Sequence, residues 1–521
     1  MDPVVATLLI LVLAVVAFVS NRVPLGVVAL GVALGLFFTG VLTIQQALAG
    51  FGDPTVLFIA ALFVVSEALD ATGVTAWTGQ KVIARAGTGR RALLVVVSLL
   101  VAGTTALISI NGAVAALLPL VVVVASRAGI ATSQLLMPLA FAAHAGSLLL
   151  LTGTPVNPIV SEIASASGGR EFNYFEFAAV GVPLLIVTIV YVVLFGKHLL
   201  PARNGAEMPT DLIRHARLLR QQYDVTLDTS TLLGRDDGVT EVIVPPRSPL
   251  IGAHLARGMT TPSGDLVVLA ARRGSERLKD ADIVVQAGDA LLLQGSWDDL
   301  ERHTSPGGKV IAVDSPTQLR RSVPLGKGAK PAIVILAAMV VLLATGLVPP
   351  VVAALLAAGA LIVSRTVTPS QAYQSISWTT IVLIAGMIPL STAFVQTGTA
   401  DLIAGWLLSF LGTAGPHIAL LILCVLTIVL GQLISNVATV LIVAPVAVSV
   451  AATLGVSVQP FMMALTVAGA AAFLTPIATP ANMMVMEAGG YRFGDYWKLG
   501  LPLAFVYLVV AVFYVPLIWH F

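Results

Sequence analysis

The chain has 521 residues, 57% of them apolar and 10% charged, with a formal net charge of +2. A composition that apolar excludes a soluble globular protein. The single cysteine, Cys424, stands in an apolar run and rules out a disulfide framework.

In chain order, the first apolar segment, 4–20, lacks a basic leader and a cleavage site, so it reads as a span and not a signal peptide. Spans follow at 25–41, 55–71, 133–167 and 178–198, each near the length needed to cross about 30 Å of hydrocarbon. The fourth of these five is broken at Thr152–Pro158. Before it, 92–125 is apolar but folds about Ile110-Asn111-Gly112, a hairpin that enters and leaves by one face. From 201 to 326 the composition becomes that of a soluble domain and holds 15 of the 28 Lys and Arg residues. Alternating segments at 241–244, 266–270, 282–285 and 290–293, separated by turn signals, predict a small α+β domain of about 80 residues. Upstream of them, 211–222 predicts a short basic amphipathic helix. Apolar segments resume at 331–347, 350–364 and 379–397. A hairpin at 417–453 breaks at Ser435-Asn436, and spans at 459–489 and 497–518 complete the chain. The domains are therefore 1–200, 201–326 and 327–521.

The residues that interrupt these segments recur at a constant offset of 325. Val23-Pro24 returns as Val348-Pro349, Thr55 as Thr380 and Asn111 as Asn436. Thr154-Pro155-Val156-Asn157 returns as Thr479-Pro480-Ala481-Asn482, and Glu162 as Glu487. Paired halves with corresponding breaks are the sequence signature of a secondary transporter. Five crossings per half is an odd number, so the second half is expected to run inverted. Charge gives an independent test. With both termini outside, twelve basic residues flank the spans on the cytoplasmic side (Arg22, Lys81 and Arg90 among them) and only Arg170 flanks them outside. The 201–326 insert is then cytoplasmic, in a multi-pass protein of the cell membrane.

An asparagine in a hydrophobic segment must find partners, and each one singly reads as helix–helix glue. As a repeat pair at two hairpin breaks, Asn111 and Asn436 instead predict binding-site tips. Pro155 and Pro480 each remove a donor, end one half-helix and start another. Four helix N-termini then face one cavity, each with about half a positive charge and free N–H groups. The carbonyls freed at the breaks and the asparagine oxygens suit a hard cation. Such a geometry binds an anion without a buried basic side chain.

These motifs resemble the divalent anion–sodium symporter (DASS) family, which carries dicarboxylates, citrate or sulfate. The resemblance covers both membrane halves and rests on Asn111, Gly153-Thr154-Pro155, Ser435-Asn436 and Ala478-Thr479-Pro480. It implies an elevator-type homodimer in which Na+ binds at Asn111 with Gly153 and at Ser435 and Asn436 with Ala478. The anion then meets Asn111, Gly112, Thr154, Pro155, Asn436, Val437, Thr479 and Pro480. Where the family has Ser-Asn-Thr, this chain has Ile110-Asn111-Gly112 and Ser435-Asn436-Val437. Ser109, Thr105 and Thr104 are the candidate replacement hydroxyls for the first cation, and the lost hydroxyls favour a compact oxyanion bound by backbone N–H groups. The insert resembles the TrkA-C (RCK-C) regulatory domain through 241–244, Ser248–Gly252, Val267–Arg273 and 288–293, as in the sulfate-transporting branch. A small-molecule regulator or a dimerisation role follows from that likeness.

Asn157, Asn482 and His144 are supporting candidates. His144 reads as a structural histidine, or as the group that proton coupling would need. Glu162 and Glu487, a turn or two past the breaks, are expected to cap or orient the unwound segments. Glu67 and Asp70 fall near a span end, where solvation accounts for them. The expected fold is an all-α polytopic membrane protein of two inverted five-span repeats, each with one re-entrant hairpin, around a small cytosolic α+β insert. The expected function is import of a small divalent anion, sulfate ahead of C4-dicarboxylate, with Na+ as coupling ion. The rivals are proton coupling, a cation/proton antiporter or a gated channel. No nucleotide loop, metal-ligand cluster beyond Na+, enzymatic nucleophile or nucleic-acid partner is indicated.

Overall fold

The computed structural model describes residues 2–20, 22–83, 89–205, 237–256, 258–274, 276–278, 283–304, 310–313, 328–411 and 415–521. The predicted helix at 211–222 lies outside these. The chain forms two compact units, one of Met1–Glu67, Val82–Glu207 and Val334–Phe521, the other of Ala68–Lys81 and Met208–Ile333.

Outside the insert the chain is helical, and its elements correspond across the repeat. In the first half they are α1 (Pro3–Ser20), α2 (Leu25–Phe38), α3 (Ile44–Leu48), α4 (Pro54–Ala71), α5 (Val74–Ile83), α6 (Arg90–Leu107), α7 (Ile110–Arg127), α8 (Ser133–Gly146), α9 (Val156–Ala166) and α10 (Ala178–Leu199). After the insert's helix α11 (Trp297–Thr304) come α12 (Ala329–Thr345), α13 (Pro350–Val363), α14 (Pro369–Ser375), α15 (Trp378–Thr397) and α16 (Thr399–Leu411). They are followed by α17 (Pro416–Gly431), α18 (Asn436–Leu454), α19 (Gln459–Ala470), α20 (Pro480–Gly489), α21 (Tyr496–Val509) and, after a π-turn, α22 (Val515–Ile518). Among the described residues seven stretches are long and apolar enough to cross a membrane, and five shorter apolar helices accompany them.

Local chemistry sets many of the boundaries. Proline opens α13, α14, α17 and α20, where its missing N–H costs nothing. Left-handed Gly398, Gly455 and Gly490 close α15, α18 and α20. The short α3 and α14 carry reciprocal capping boxes, Thr43 with Gln46 and Thr368 with Gln371. Those pairs also stand 325 apart, a correspondence the sequence reading passed over, as it did α5 and α16.

In the breaks the structure departs from expectation. The first half-helix α8 ends at Gly146, six residues before the expected Thr152, and a 3₁₀ turn, Leu151–Gly153, fills the gap before α9. Its counterpart, Pro476–Ala478, fills the gap between α19 and α20. The break therefore starts well upstream of the proline. Helix α8 packs on α6, α7, α10 and α20, while α19 packs on α17, α18 and α9. Each opening half-helix thus lies against the closing half-helix of the other repeat.

Glycine makes this crossing possible. A Cβ on Gly181 of α10 would lie 2.2 Å from the Leu148 carbonyl oxygen, and one on Gly500 of α21 would lie 2.2 Å from that of Phe473. Leu148 and Phe473 are repeat equivalents, so both long helices touch the breaks backbone to backbone, as small residues permit in membranes. The two helices also meet each other, with the Thr188 and Tyr507 hydroxyls 3.4 Å apart.

The smaller unit contains a five-stranded antiparallel sheet in the order β4-β3-β6-β1-β7, formed by β1 (Asp237–Ile243), β3 (Val267–Arg273), β4 (Glu276–Leu278), β6 (Ala290–Ser296) and β7 (Ile311–Ala312). The pair β2 (His254–Leu255) and β5 (Ile283–Val284) stands beside it. Trp297 seals the core, and Gly238 is required beneath its ring, since a Cβ there would lie 2.2 Å away. Burial pushes the Asp289 carboxyl up, but bonds from Arg273 (2.7 and 2.8 Å) and from the Gln286 N–H hold it below the ordinary carboxylate range.

Gly181→Ala forces the Leu148 carbonyl aside, an overpacking that costs about 1–3 kcal/mol. A lower melting temperature of the detergent-solubilised protein is expected, with Gly31→Ala, which meets open space, as the unaffected control.

Candidate site at the paired helix breaks

The two breaks are held open by one device used twice. Asn157 is fully buried, and its amide nitrogen donates to the carbonyls of Ser147 (2.9 Å) and Leu150 (2.8 Å). Asn482, equally buried, donates to Ala472 (2.7 Å) and Thr475 (3.1 Å). All three members of each set are related by the 325 offset. An unwound turn in a membrane leaves carbonyls that water cannot reach, and these amides satisfy two in each half. Those four carbonyls already carry a donor, so they are not the bare cation ligands expected from proline alone. What is left free is the oxygen of each amide: among the described residues, Asn157 Oδ1 and Asn482 Oδ1 are buried without a partner.

Each hairpin tip is tied to the break of its own half. The Thr152 hydroxyl donates to Ala106 O (2.9 Å) at the end of α6. In the second half, Gln432 donates to Ala471 O (3.0 Å), its Oε1 accepts from Leu474 N–H (2.9 Å), and Thr475 donates to Gln432 O (3.2 Å). Across the halves, α20 packs on α7 and α18 on α9. The structure thus packs a hairpin helix of each half against the closing half-helix of the other.

The tips differ in one respect that the sequence alignment of the halves conceals. Ser109 caps α7, accepting from Gly112 N–H at 3.2 Å, and Ser435 caps α18, accepting from Ala438 N–H at 3.2 Å. In repeat register Ser435 matches Ile110, not Ser109. Helix α7 therefore starts one residue early, which turns its side chains by about 100° and moves them about 1.5 Å relative to α18. Asn111 is exposed, whereas Asn436 Oδ1 is buried without a partner, in space left beside it by Gly431. Among the described residues the N–H groups of Ile110, Asn111, Asn436 and Val437 have no protein acceptor; that of Gly112 is occupied by its cap.

At the breaks, Thr154 and Thr479 share one extended conformation, with φ of −153° and −145°. Thr479 caps α20 by accepting from Asn482 N–H at 3.3 Å. Gly153 and Ala478 are buried, Pro155 is half-buried and Pro480 exposed. A Cβ on Gly153 would strike the Ser147 carbonyl at 2.3 Å, so only glycine fits there. His144, fully buried near the end of α8, lies 3.4 Å from the Thr479 hydroxyl through Nε2, and the Asn482 amide faces the same ring.

Glu162 does not cap the unwound segment as expected. It accepts a hydrogen bond from the Thr55 hydroxyl of α4 and so ties two helices together. The repeat equivalent Thr380 bonds instead to Ser377 (2.8 Å).

Two broken helices and two capped helix–helix tips, repeated in both halves of a polytopic helical protein, are the architecture of a membrane transporter. The chain belongs to the citrate transporter family (CitMHS), whose profile matches residues 15–468 and 413–521. It is 31% identical to the uncharacterized transporter YfbS of Escherichia coli over 98% of both chains. Sodium/sulfate cotransporter 1 of Chlamydomonas reinhardtii is 27% identical over 57% of this chain and 34% of its own length. The crystal structure of the Alcanivorax borkumensis YdaH transporter shares the fold, with a TM-score of 0.52 and 15% identity over 99% of this chain and 98% of that one.

Asn482→Leu strands the Ala472 and Thr475 carbonyls, at about 1–3 kcal/mol each. Its melting temperature in detergent should fall well below that of the parent, and Asn157→Leu should match it; loss in one variant alone would show that the two staples are not equivalent.

Proposed function

We propose that the protein is a secondary active transporter importing a small divalent anion, sulfate ahead of C4-dicarboxylate, coupled to Na+. The observation that carries this reading is the set of unpaired N–H groups at the two hairpin tips, on Ile110, Asn111, Asn436 and Val437. They stand at the positive ends of α7 and α18. The motif segments themselves hold no basic side chain. Free backbone donors without side-chain hydroxyls suit a compact oxyanion; a citrate-sized substrate asks for more groups than these. The Chlamydomonas relative is by name a sodium/sulfate cotransporter.

The second tip suits Na+ better than the first. Asn436 Oδ1 is a buried, unpartnered hard oxygen beside the capped start of α18. Ser435 and the Ala478 carbonyl complete the donor set that the family resemblance assigns. At the first tip Asn111 faces outward, leaving Ser109 and Gly153 as the proposed ligands. We further place the chain in the cell membrane as an elevator-type homodimer. Its termini lie outside, and its insert, TrkA-C-like and open to a small-molecule regulator, faces the cytoplasm. Proton coupling is the second reading, favoured by the buried His144 beside Thr479. A cation/proton antiporter requires a buried carboxylate between the breaks, where this chain has amides.

Proteoliposomes given labelled sulfate or succinate, with sodium and proton gradients imposed separately, test the assignment. Sulfate uptake is expected to exceed succinate uptake and to rise at least tenfold with an inward sodium gradient. Asn436→Ala should abolish it while leaving the melting temperature within a few degrees; unchanged transport removes that residue from the site.

A further inference from the structure

We infer that Tyr491 is a positioning residue of the anion site: its hydroxyl grips the first rung of α8 and thereby sets where the start of α20 stands. The inference rests on the anion reading above and names what holds that geometry in place.

Tyr491 stands two residues past α20, and the sequence builds its placement. Gly490 closes the helix in the left-handed conformation (φ 63°), and the Tyr491 N–H returns to the Met486 carbonyl at 3.0 Å. A Cβ on Gly489 would lie 2.3 Å from the tyrosine ring, so the ring folds back over the helix end only because that residue is glycine. The side chain is 5% exposed. A phenol so buried needs partners for its oxygen and its hydrogen. It finds both on α8, where the hydroxyl donates to the Ser133 carbonyl and accepts from the Met137 N–H at 2.8 Å. Those groups are four residues apart, the acceptor and donor of the first rung of the helix. A side chain of the second half thus enters the hydrogen-bond ladder of a helix in the first, an insertion of the kind that bends helices. Pro138 follows at once and offers no N–H, so the next rung is missing. The direction of α8 at this turn is therefore set by the tyrosine.

Two neighbouring contacts fix the same corner. The Thr132 hydroxyl lies 3.3 Å from the Ala488 carbonyl. Arg203, whose N–H bonds to the Ser133 hydroxyl at 2.9 Å, reaches the Asp495 carboxylate at 2.9 Å. At the other end of the pair, the Thr479 hydroxyl at the start of α20 stands 3.4 Å from His144 near the end of α8. The two half-helices are joined at both ends, with Tyr491 at one and the candidate site at the other. Helix α20 has 10 residues, a length of about 15 Å. A turn of about 10° at the tyrosine end moves its start by about 3 Å on that length. A binding constellation tolerates displacements of only about 0.5 Å.

The break itself does not demand this contact. In the first half Ala166 occupies the position of Tyr491, and Ala164 and Ser165 those of the corner glycines. In α19, the counterpart of α8, the Met462 N–H bonds directly to the Val458 carbonyl at 3.1 Å. The staple forms in both halves, and the tyrosine serves one. Its hydroxyl can also be removed without stranding a partner, because Ser133 C=O and Met137 N–H are ladder partners of each other. A role confined to stability therefore predicts little effect on anion affinity, whereas a positioning role predicts a large one.

Tyr491→Phe and Gly489→Ala, made in the intact protein, separate the two. The first removes the hydroxyl and keeps the ring; the second keeps the hydroxyl and displaces the ring. Sulfate affinity, measured by calorimetry in detergent, is expected to fall roughly tenfold or more in both, with melting temperatures within a few degrees of the parent. In proteoliposomes the KM for sulfate should rise by the same factor while maximal uptake stays close to that of the parent. Unchanged affinity in whichever variant folds overturns the inference and leaves the anion reading standing. So does a loss of affinity that comes only with a collapse of the melting temperature, or failure of both variants to fold, since the residue is then architectural. A parent that binds neither sulfate nor succinate overturns the inference and the anion reading together.

Discussion

Everything at the candidate site depends on one constraint: a peptide group inside hydrocarbon must find a partner within the protein. Opening a helix across the middle of a membrane strands carbonyls, and an unpaired one costs several kcal/mol. Asn157 and Asn482 remove that cost by reaching back seven and ten residues to carbonyls of the unwound turn. The short helices α9 and α20 then start inside the protein, their first N–H groups capped by Thr154 and Thr479. Without the staples there would be no stable helix start there.

The same constraint explains the glycines. A break is wide and irregular, and the helices flanking it must follow its backbone closely to exclude lipid. Gly181 and Gly500 do so on opposite repeats, against equivalent carbonyls. Gly153 lets the 3₁₀ turn fold over Ser147. Small residues in such segments serve contact as much as flexibility, which is why an alanine at these places acts as an obstacle.

Much of the architecture was legible in the sequence because membranes simplify the code. Length, apolarity and the Asn and Pro interruptions located both hairpins and both broken helices to within a few residues. What escaped has physical reasons. The breaks begin upstream of their prolines because the staple acts at a distance, and a single asparagine does not announce which carbonyl it serves. Helices α3 and α14 are short and amphipathic and lie outside any hydropathy run, although their Thr-x-x-Gln caps were readable. The shift of one residue at the first tip follows from Ile110 lacking a hydroxyl: the cap moves to Ser109, and a repeat alignment that pairs Asn111 with Asn436 hides the resulting rotation. Glu162 was seen as a repeat residue, but its partner Thr55 is 107 positions away, a separation no local pattern reports.

The two halves share their backbone device and differ in their chemistry. Asn157 and Asn482 make matched bonds, whereas Asn111 and Asn436 sit one position apart relative to their helix starts, and His144 has a glycine as its repeat equivalent. Duplication supplies a matched pair of helix starts, since both repeats meet the same hydrogen-bonding demand. That demand does not act on side chains that line the space between them. Those positions are free to diverge. A buried, unpaired oxygen in one half and a buried imidazole reaching across from the other give the site two unlike faces. In a transporter the cargo and the driving ion must be told apart within a few ångströms, and a symmetric site offers no means to do so.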